Sequence, residues 1–147
     1  MTLREARRDE VRQIVEMLID DDLGQSREDL ADLTPYLQGF DAIAADPSNT
    51  QYVWEENGEI LGCLQLTVIP GIGQRGLRRA QVEGVRVKGS RRGSGVGQKM
   101  MQAVMAIARE RGCDIMQLTT NKTRKDAQRF YEQLGFTKSH EGMKVTL

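Results

Sequence analysis

Apolar residues along this chain change their period from place to place, and each change marks an element. Thr2 to Ala6 reads as a short strand. Asp9 then stands as an N-cap before Val11, Ile14, Val15 and Leu18, which follow i, i+3, i+4, i+7 on one helical face. The acidic run Asp20-Asp21-Asp22 closes that helix, where the backbone dipole is already negative; a solvated loop or the attraction of a cationic substrate would account for it. Ser26 with Asp29 resembles a weak capping box. Thr34-Pro35 reads as the N-cap and N1 proline of a second helix running to about Ala45, before Pro47.

Period-two segments follow. Gln51 to Glu55 and Glu59 to Ile69 form a predicted hairpin about Asn57-Gly58, and Pro70 to Gly76 reads as a flexible glycine-rich loop. Gln81 to Val87 is the next strand. By simple alternation, Glu83, Val85 and Val87 share one of its faces. A glycine-rich segment, residues 91–97, opens a long helix carrying Val96, Met100, Val104, Ile107 and Ala108 on one side and ending at Gly112. Ile115 to Thr119 is a buried strand. Ala127, Phe130, Tyr131 and Leu134 mark a last helix with Gly135 as its C′ residue, and Phe136 to Leu147 is expected to supply one or two final strands. The order βααβββαβαβ is that of an α+β, mixed αβ fold in a single domain over residues 1–147.

Composition narrows the classes without changing the elements. With 147 residues, 39% hydrophobic and 29% charged, the chain can bury a core and is neither fibrous nor disordered. No apolar run approaches a membrane span and the N-terminus lacks an apolar signal core, so a soluble, cytoplasmic protein with no membrane partner is expected. Cys63, Cys113 and the single His140 show no metal-ligand spacing; buried thiols and no metal are expected. His140 is either a turn residue or part of a substrate site. The formal net charge of zero argues against nucleic acid as a partner, yet it conceals a split. Residues 1–73 hold 5 basic and 15 acidic side chains, whereas residues 74–147 hold 16 basic and 6 acidic.

The basic half contains the chemistry. A strand leading through Arg91-Arg92-Gly93-Ser94-Gly95-Val96-Gly97 into a helix gathers free backbone N–H groups and the positive helix end at one point, which suits an anion; a tight structural turn is the alternative. A Walker loop is disfavoured because Gly97 is followed by Gln98-Lys99 without the hydroxyl residue. A dinucleotide fingerprint is disfavoured because the loop follows three or four strands instead of one. Ser94 lacks the setting of a serine nucleophile.

Three segments in register fit a different pattern. Arg92 to Gly97 reads R-x-x-G-x-G, Ala127 to Phe136 reads A-x-x-F-Y-x-x-x-G-F, and Val82-Glu83-Gly84-Val85-Arg86-Val87 is the strand before the loop. In these the sequence resembles the GCN5-related N-acetyltransferases. The resemblance implies a central, mostly antiparallel mixed sheet flanked by helices, and direct acetyl transfer from acetyl-CoA to a small-molecule or peptide amine. It implies cofactor contacts at Val85, Val87, Arg92, Gly93, Ser94, Gly95, Val96, Gly97 and Gln98. Arg124 stands where the family often has asparagine, with Asn121 three positions earlier, and is expected to reach a CoA phosphate. Glu83, read as desolvated, is the expected general base, with an edge-strand carboxylate paired with Arg86 or a neighbour as the alternative. The resemblance makes Tyr131 the expected general acid toward the CoA sulfur, with a tyrosine packed under the sheet as the alternative. Arg75, Arg78 and Arg79 could bind an acceptor carboxylate or be solvated. A non-catalytic acetyl-CoA-binding or partner-binding module is the contrasting reading. Dimerisation is common in the family, and a homodimer is left open by the sequence.

Overall fold

The computed structural model describes residues 1–20 and 24–147. Its elements are β1 (Thr2–Glu5), α1 (Val11–Ile19), α2 (Thr34–Ala45), β2 (Asn49–Glu56), β3 (Glu59–Ile69), β4 (Arg79–Val87), α3 (Val96–Glu110), β5 (Ile115–Gln117) and α4 (Lys125–Gln133). The strands lie in sequence order, β1-β2-β3-β4-β5, antiparallel except for the β4–β5 pair. A parallel neighbour needs a crossover, and α3 supplies it. The mixed, mostly antiparallel sheet expected from the sequence is therefore present.

Helices cover both faces. Met100, Met101, Val104 and Ala108 of α3 pack on Tyr52, Trp54, Leu64, Leu66 and Val82, while Phe130 and Tyr131 of α4 join that core at its margin. Ile14 and Met17 of α1 pack on Val53, Ile60 and Cys63 from the opposite side. Gly62 permits the close approach of α3, since a Cβ there would lie 2.4 Å from the Met100 sulfur. Asn57 and Gly58 both take positive φ, 51° and 78°, as the tight β2–β3 hairpin requires.

Several ends differ from the periodic reading. Asp9 lies inside a 3₁₀ turn, Arg8–Glu10, and it is Glu10 whose carboxylate accepts from the Arg7 N–H at 2.7 Å. Ser26 falls within the short helical turn Gly24–Arg27, and Asp29 instead accepts from the Ala31 N–H. Thr34 is the first residue of α2, with Leu33 in the cap position; Asp32 accepts the Thr34 N–H at 2.9 Å. Asp20 follows α1 as its C-cap, and the Asp21-Asp22 part of the acidic run lies outside the described residues.

The final strands do not form. Residues 137–147 add no ladder to the sheet, and Met143, Val145 and Leu147 are exposed. Lys138, Ser139, His140, Glu141, Gly142 and Lys144 leave this stretch too few apolar residues to bury a sheet face. Cys63 is buried and Cys113 half-buried, both as free thiols.

One irregularity shapes everything downstream. Gln65 pairs with Glu83 but Cys63 pairs with Arg86, so β4 carries one more residue than β3 between the two pairs. This is a β-bulge, and Gly84 occupies it at φ +59°. Alanine at such a φ costs roughly 1–2 kcal/mol, so Gly84→Ala is expected to lower the melting temperature. An unchanged melt would show that the bulge tolerates an ordinary residue.

At the sheet edge, Arg4 holds Glu10 through two hydrogen bonds of 2.9 and 2.7 Å and reaches Glu55 at 2.9 Å. These bonds from Arg4, opposed by burial, keep the Glu10 carboxyl below its ordinary value of 4.5. A lowered folded-state pKa stabilises the fold above the unfolded value, and that contribution is lost as pH falls through the folded value. Glu10→Gln should remove about 2 kcal/mol at pH 7. Its denaturation midpoint should also be less pH-sensitive below pH 4.5 than the wild type's; parallel curves would argue otherwise.

Candidate active site

β5 pairs with β4 only through Arg79–Ile115, Ala80–Met116 and Gln81–Gln117. Beyond that point the strands part, because β4 turns at its bulge and the chain leaving β5 runs on through Leu118, Thr119 and Thr120. A cleft opens between them. Its walls are Val82 to Arg86 of β4, residues 118–120, and Arg124, Ala127 and Tyr131 at the start and inner face of α4. Glu83 and Tyr131, 48 positions apart in sequence, thus line the same cleft.

They reach it from opposite sides of the sheet. Glu83 pairs with Gln65, in the same face row as Cys63 beneath α1, whereas Val85 and Val87 pack with the α3 core. The expectation that Glu83 shares a face with Val85 and Val87 is therefore corrected. Alternation holds only in an unbroken strand, and the extra residue at Gly84 reverses it. Glu83 is also exposed, not desolvated as the apolar strand context suggested. Its Oε1 accepts from Gln81 Nε2 at 3.1 Å, and Gln81 Oε1 accepts from Gln117 Nε2 at 2.9 Å.

Tyr131 is held by aromatic edges, with ring centroids 5.1 Å from Phe130 and 5.7 Å from Phe136. The turn after α4 brings Phe136 back, its N–H bonding to the Tyr131 carbonyl at 3.1 Å while Gly135 takes φ +100°. Burial raises the Tyr131 phenol above its ordinary value, with the positive charges of Arg124 and Arg86 working against it. The phenol therefore keeps its proton at neutral pH, as a proton donor must. Arg124 sits beside this tyrosine, and Asn121 is engaged by the Thr123 N–H and hydroxyl at 3.0 and 2.8 Å in the turn that starts α4.

The glycine loop leaves the end of β4 and enters α3. Gly93 and Gly95 take φ of +77° and +89°, conformations that favour glycine. The first turn of α3 leaves the Val96, Gly97 and Gln98 N–H groups without intrahelical acceptors, while Lys99 N–H bonds to Gly95 at 3.1 Å. Val96 is buried in the core. A Cβ on Gly97 would meet Phe130 at 3.3 Å and Val87 at 3.5 Å, so this glycine lets β4, α3 and α4 converge. The Ser94 hydroxyl donates to the Arg91 carbonyl, and the Val85 carbonyl accepts from Arg86 at 2.9 Å. The two loop cations meet carboxylates of the acidic half: Arg91 lies 3.2 Å from Glu56, and Arg92 contacts the Asp20 carbonyl and carboxylate. Glu56 also accepts from the Trp54 indole at 3.1 Å, and that bond, together with Lys99 and Arg91, holds its carboxyl low.

Alternation along β4 already puts Gln81 on the face of Glu83, and the structure extends this pair into a polar row. Asn49 and Gln51 of β2, Gln65 and Thr67 of β3, and Gln81 and Glu83 of β4 pair across the sheet, and Gln117 of β5 continues the row. Thr67 and Gln65 both donate to Asn49, at 2.6 and 3.1 Å. In the chain these residues stand at alternate positions, Asn49 and Gln51, Gln65 and Thr67, Gln81 and Glu83. His140 lies apart from the cleft lining, exposed, with Ser139 Oγ 2.6 Å from its Nδ1. Among the described residues there is no group of three or more His, Cys, Asp and Glu side chains able to hold a metal, and no helix long and apolar enough to cross a membrane.

Comparisons with known proteins bear on the fold and the family. An aminoalkylphosphonate N-acetyltransferase of Salmonella typhimurium is 29% identical over 113 residues, spanning 74% of this chain and 70% of that protein. A solved structure described as a transcriptional regulator from Bacillus halodurans is 43% identical, covers 99% of both chains and superposes with a TM-score of 0.94. A candidate acetyltransferase from Agrobacterium tumefaciens shares the fold, with a TM-score of 0.87 at 22% identity over the full length of both chains. The model of the acetyltransferase (GNAT) family, which uses acetyl-CoA, matches residues 12–136, and this chain is a member of that family.

Proposed function

We propose that this protein transfers acetyl from acetyl-CoA directly to a primary amine of a small molecule or peptide, with Glu83 as general base and Tyr131 as general acid. The observation that carries this reading is the one cleft, open between β4 and β5, that receives Glu83 from one sheet face and Tyr131 from the other. The thioester lies in the gap, its CoA portion following β4 to the glycine loop. Backbone groups of Val85, Val87, Gly93, Ser94, Gly95, Val96, Gly97 and Gln98, with the Arg92 side chain, hold the cofactor. Its diphosphate rests at the N-terminus of α3. Arg92 exchanges Asp20 for phosphate when the cofactor binds. Arg124 has the charge for a CoA phosphate and, beside Tyr131, for the departing thiolate.

The amine arrives protonated and gives its proton to Glu83 directly or through water. Its lone pair attacks the thioester carbon, the C–S bond breaks as the tetrahedral intermediate collapses, Tyr131 protonates the CoA sulfur, and the second proton lost by the nitrogen restores the phenol through water. The acidic half of the chain attracts the cationic amine. Arg79 lies in the Glu83 face row two pairs before it, so an amine carrying an anionic group fits this surface, as does the substrate class named for the Salmonella relative. A binding module on the same fold is the second reading, favoured by the description of the Bacillus halodurans relative as a regulator.

Thiol release from acetyl-CoA, measured with aminoalkylphosphonates, amino acids, polyamines, aminoglycosides and peptide amines, separates the readings. Turnover on one amine class, strongest with an anionic tail, is expected; CoA binding without turnover on any amine would favour the module. With the amine that reacts fastest, Glu83→Gln should lower kcat about 10²-fold or more with little change in KM for acetyl-CoA. Tyr131→Phe should lower kcat by roughly 10²-fold while the protein melts normally. A near-wild-type kcat in either variant removes that residue from its role.

A further inference from the structure

Glu83 is exposed, and an exposed glutamate side chain samples several rotamers. A base that must meet an ammonium proton in a narrow cleft works poorly unless something limits those rotamers. The candidate restraint is the row of amides beside it. Gln117 Nε2 donates to Gln81 Oε1 at 2.9 Å, and Gln81 Nε2 donates to Glu83 Oε1 at 3.1 Å. Both links follow from the sheet. Gln81 and Gln117 form the last pair of the parallel ladder before the strands part, and Gln81 stands two residues before Glu83 on the same face.

The direction of the hydrogen bonds matters. A glutamine amide can present either its oxygen or its nitrogen, but an ionised carboxylate can only accept. Because Gln117 donates to the Gln81 oxygen, the Gln81 nitrogen is the end turned to Glu83. We propose that Gln117 and Gln81 are positioning residues that form a one-way amide relay. The relay carries the rigidity of the paired β4–β5 segment to Glu83, holding Oε1 and turning Oε2 to the incoming amine. This rests on the reading of Glu83 as the base. It assigns work to two glutamines that have no acid or base chemistry of their own.

The test joins side-chain amide NMR with kinetics on the amine that the wild type acetylates fastest. In the wild type, the Gln81 side-chain amide protons should resonate downfield and move when Glu83→Gln or Gln117→Leu is introduced; no movement in either variant overturns the relay, whatever the acceptor proves to be. Gln81→Leu should lower kcat about tenfold and Gln117→Leu by roughly threefold, with KM for acetyl-CoA and the melting temperature unchanged. In a Glu83→Gln background, Gln81→Leu should cause no further loss, a coupling that a merely structural role would not produce. Equal losses with and without Glu83, or a wild-type kcat in Gln81→Leu, overturn the relay while the base assignment stands. A wild-type kcat in Glu83→Gln overturns both.

Discussion

The parallel ladder between β4 and β5 lasts three residue pairs and then stops. Just past the last of these pairs β4 carries an extra residue relative to β3, Gly84 sits in that bulge at positive φ, and a bulge of this kind bends its strand. A sheet that stayed closed here would satisfy more backbone groups, but it would have no interior opening. By parting, the strands expose Glu83 and Tyr131 to one space, although those side chains belong to opposite faces of the sheet. The same bend delivers the end of β4 to the glycine loop, so the strand that carries the carboxylate also leads to the N-terminus of α3. Gly97 closes the arrangement by letting Val87 and Phe130 approach the first turn of that helix.

Electrostatics follows the same geometry. The acidic first half and the basic second half meet around the loop, where Arg91 pairs with Glu56 and Arg92 with Asp20. The Arg92–Asp20 pair is exposed and contributes little to stability, whereas Glu56 is a buried carboxylate whose charge Arg91 meets from the surface. Together the two pairs hold two mobile cations against the body of the protein beside the N-terminus of α3, where the proposed function puts the anionic cofactor. Glu56 is itself fixed by the Trp54 indole, a core aromatic, so this pairing is anchored to the packing under the sheet. Arg124 puts a further positive charge beside Tyr131, where burial and cationic neighbours pull the phenol in opposite directions.

Much of the fold was legible because local chemistry dictates it. The Asn57-Gly58 turn, the helical faces of Val96 to Ala108 and of Ala127 to Leu134, and the Gly112 and Gly135 stops are short-range consequences of residue type. The loop and the F-Y helix could be assigned from their motifs for the same reason. The strands expected after Phe136 were not formed, since alternation in a polar, exposed stretch is a weak signal without a face to bury. The misplaced caps at Asp9 and Thr34 reflect competition among neighbouring acceptors, with Glu10 and Asp32 making the bonds.

Which face Glu83 occupies lay beyond the sequence, because a period of two assumes an unbroken strand and Gly84 breaks it. Glycine at that position is visible in the chain, but whether it forms a bulge depends on pairing with β3. The polar row ending at Glu83 was likewise scattered over four strands, and only their register assembles it. By itself, then, the sequence determined most of the elements up to Gly135, the glycine loop that opens α3 and the motifs of the family, all of which depend on near neighbours. Tertiary structure alone decided where the sheet opens, from which sides Glu83 and Tyr131 enter, and which amides support the carboxylate, because each depends on contacts between residues distant in the chain.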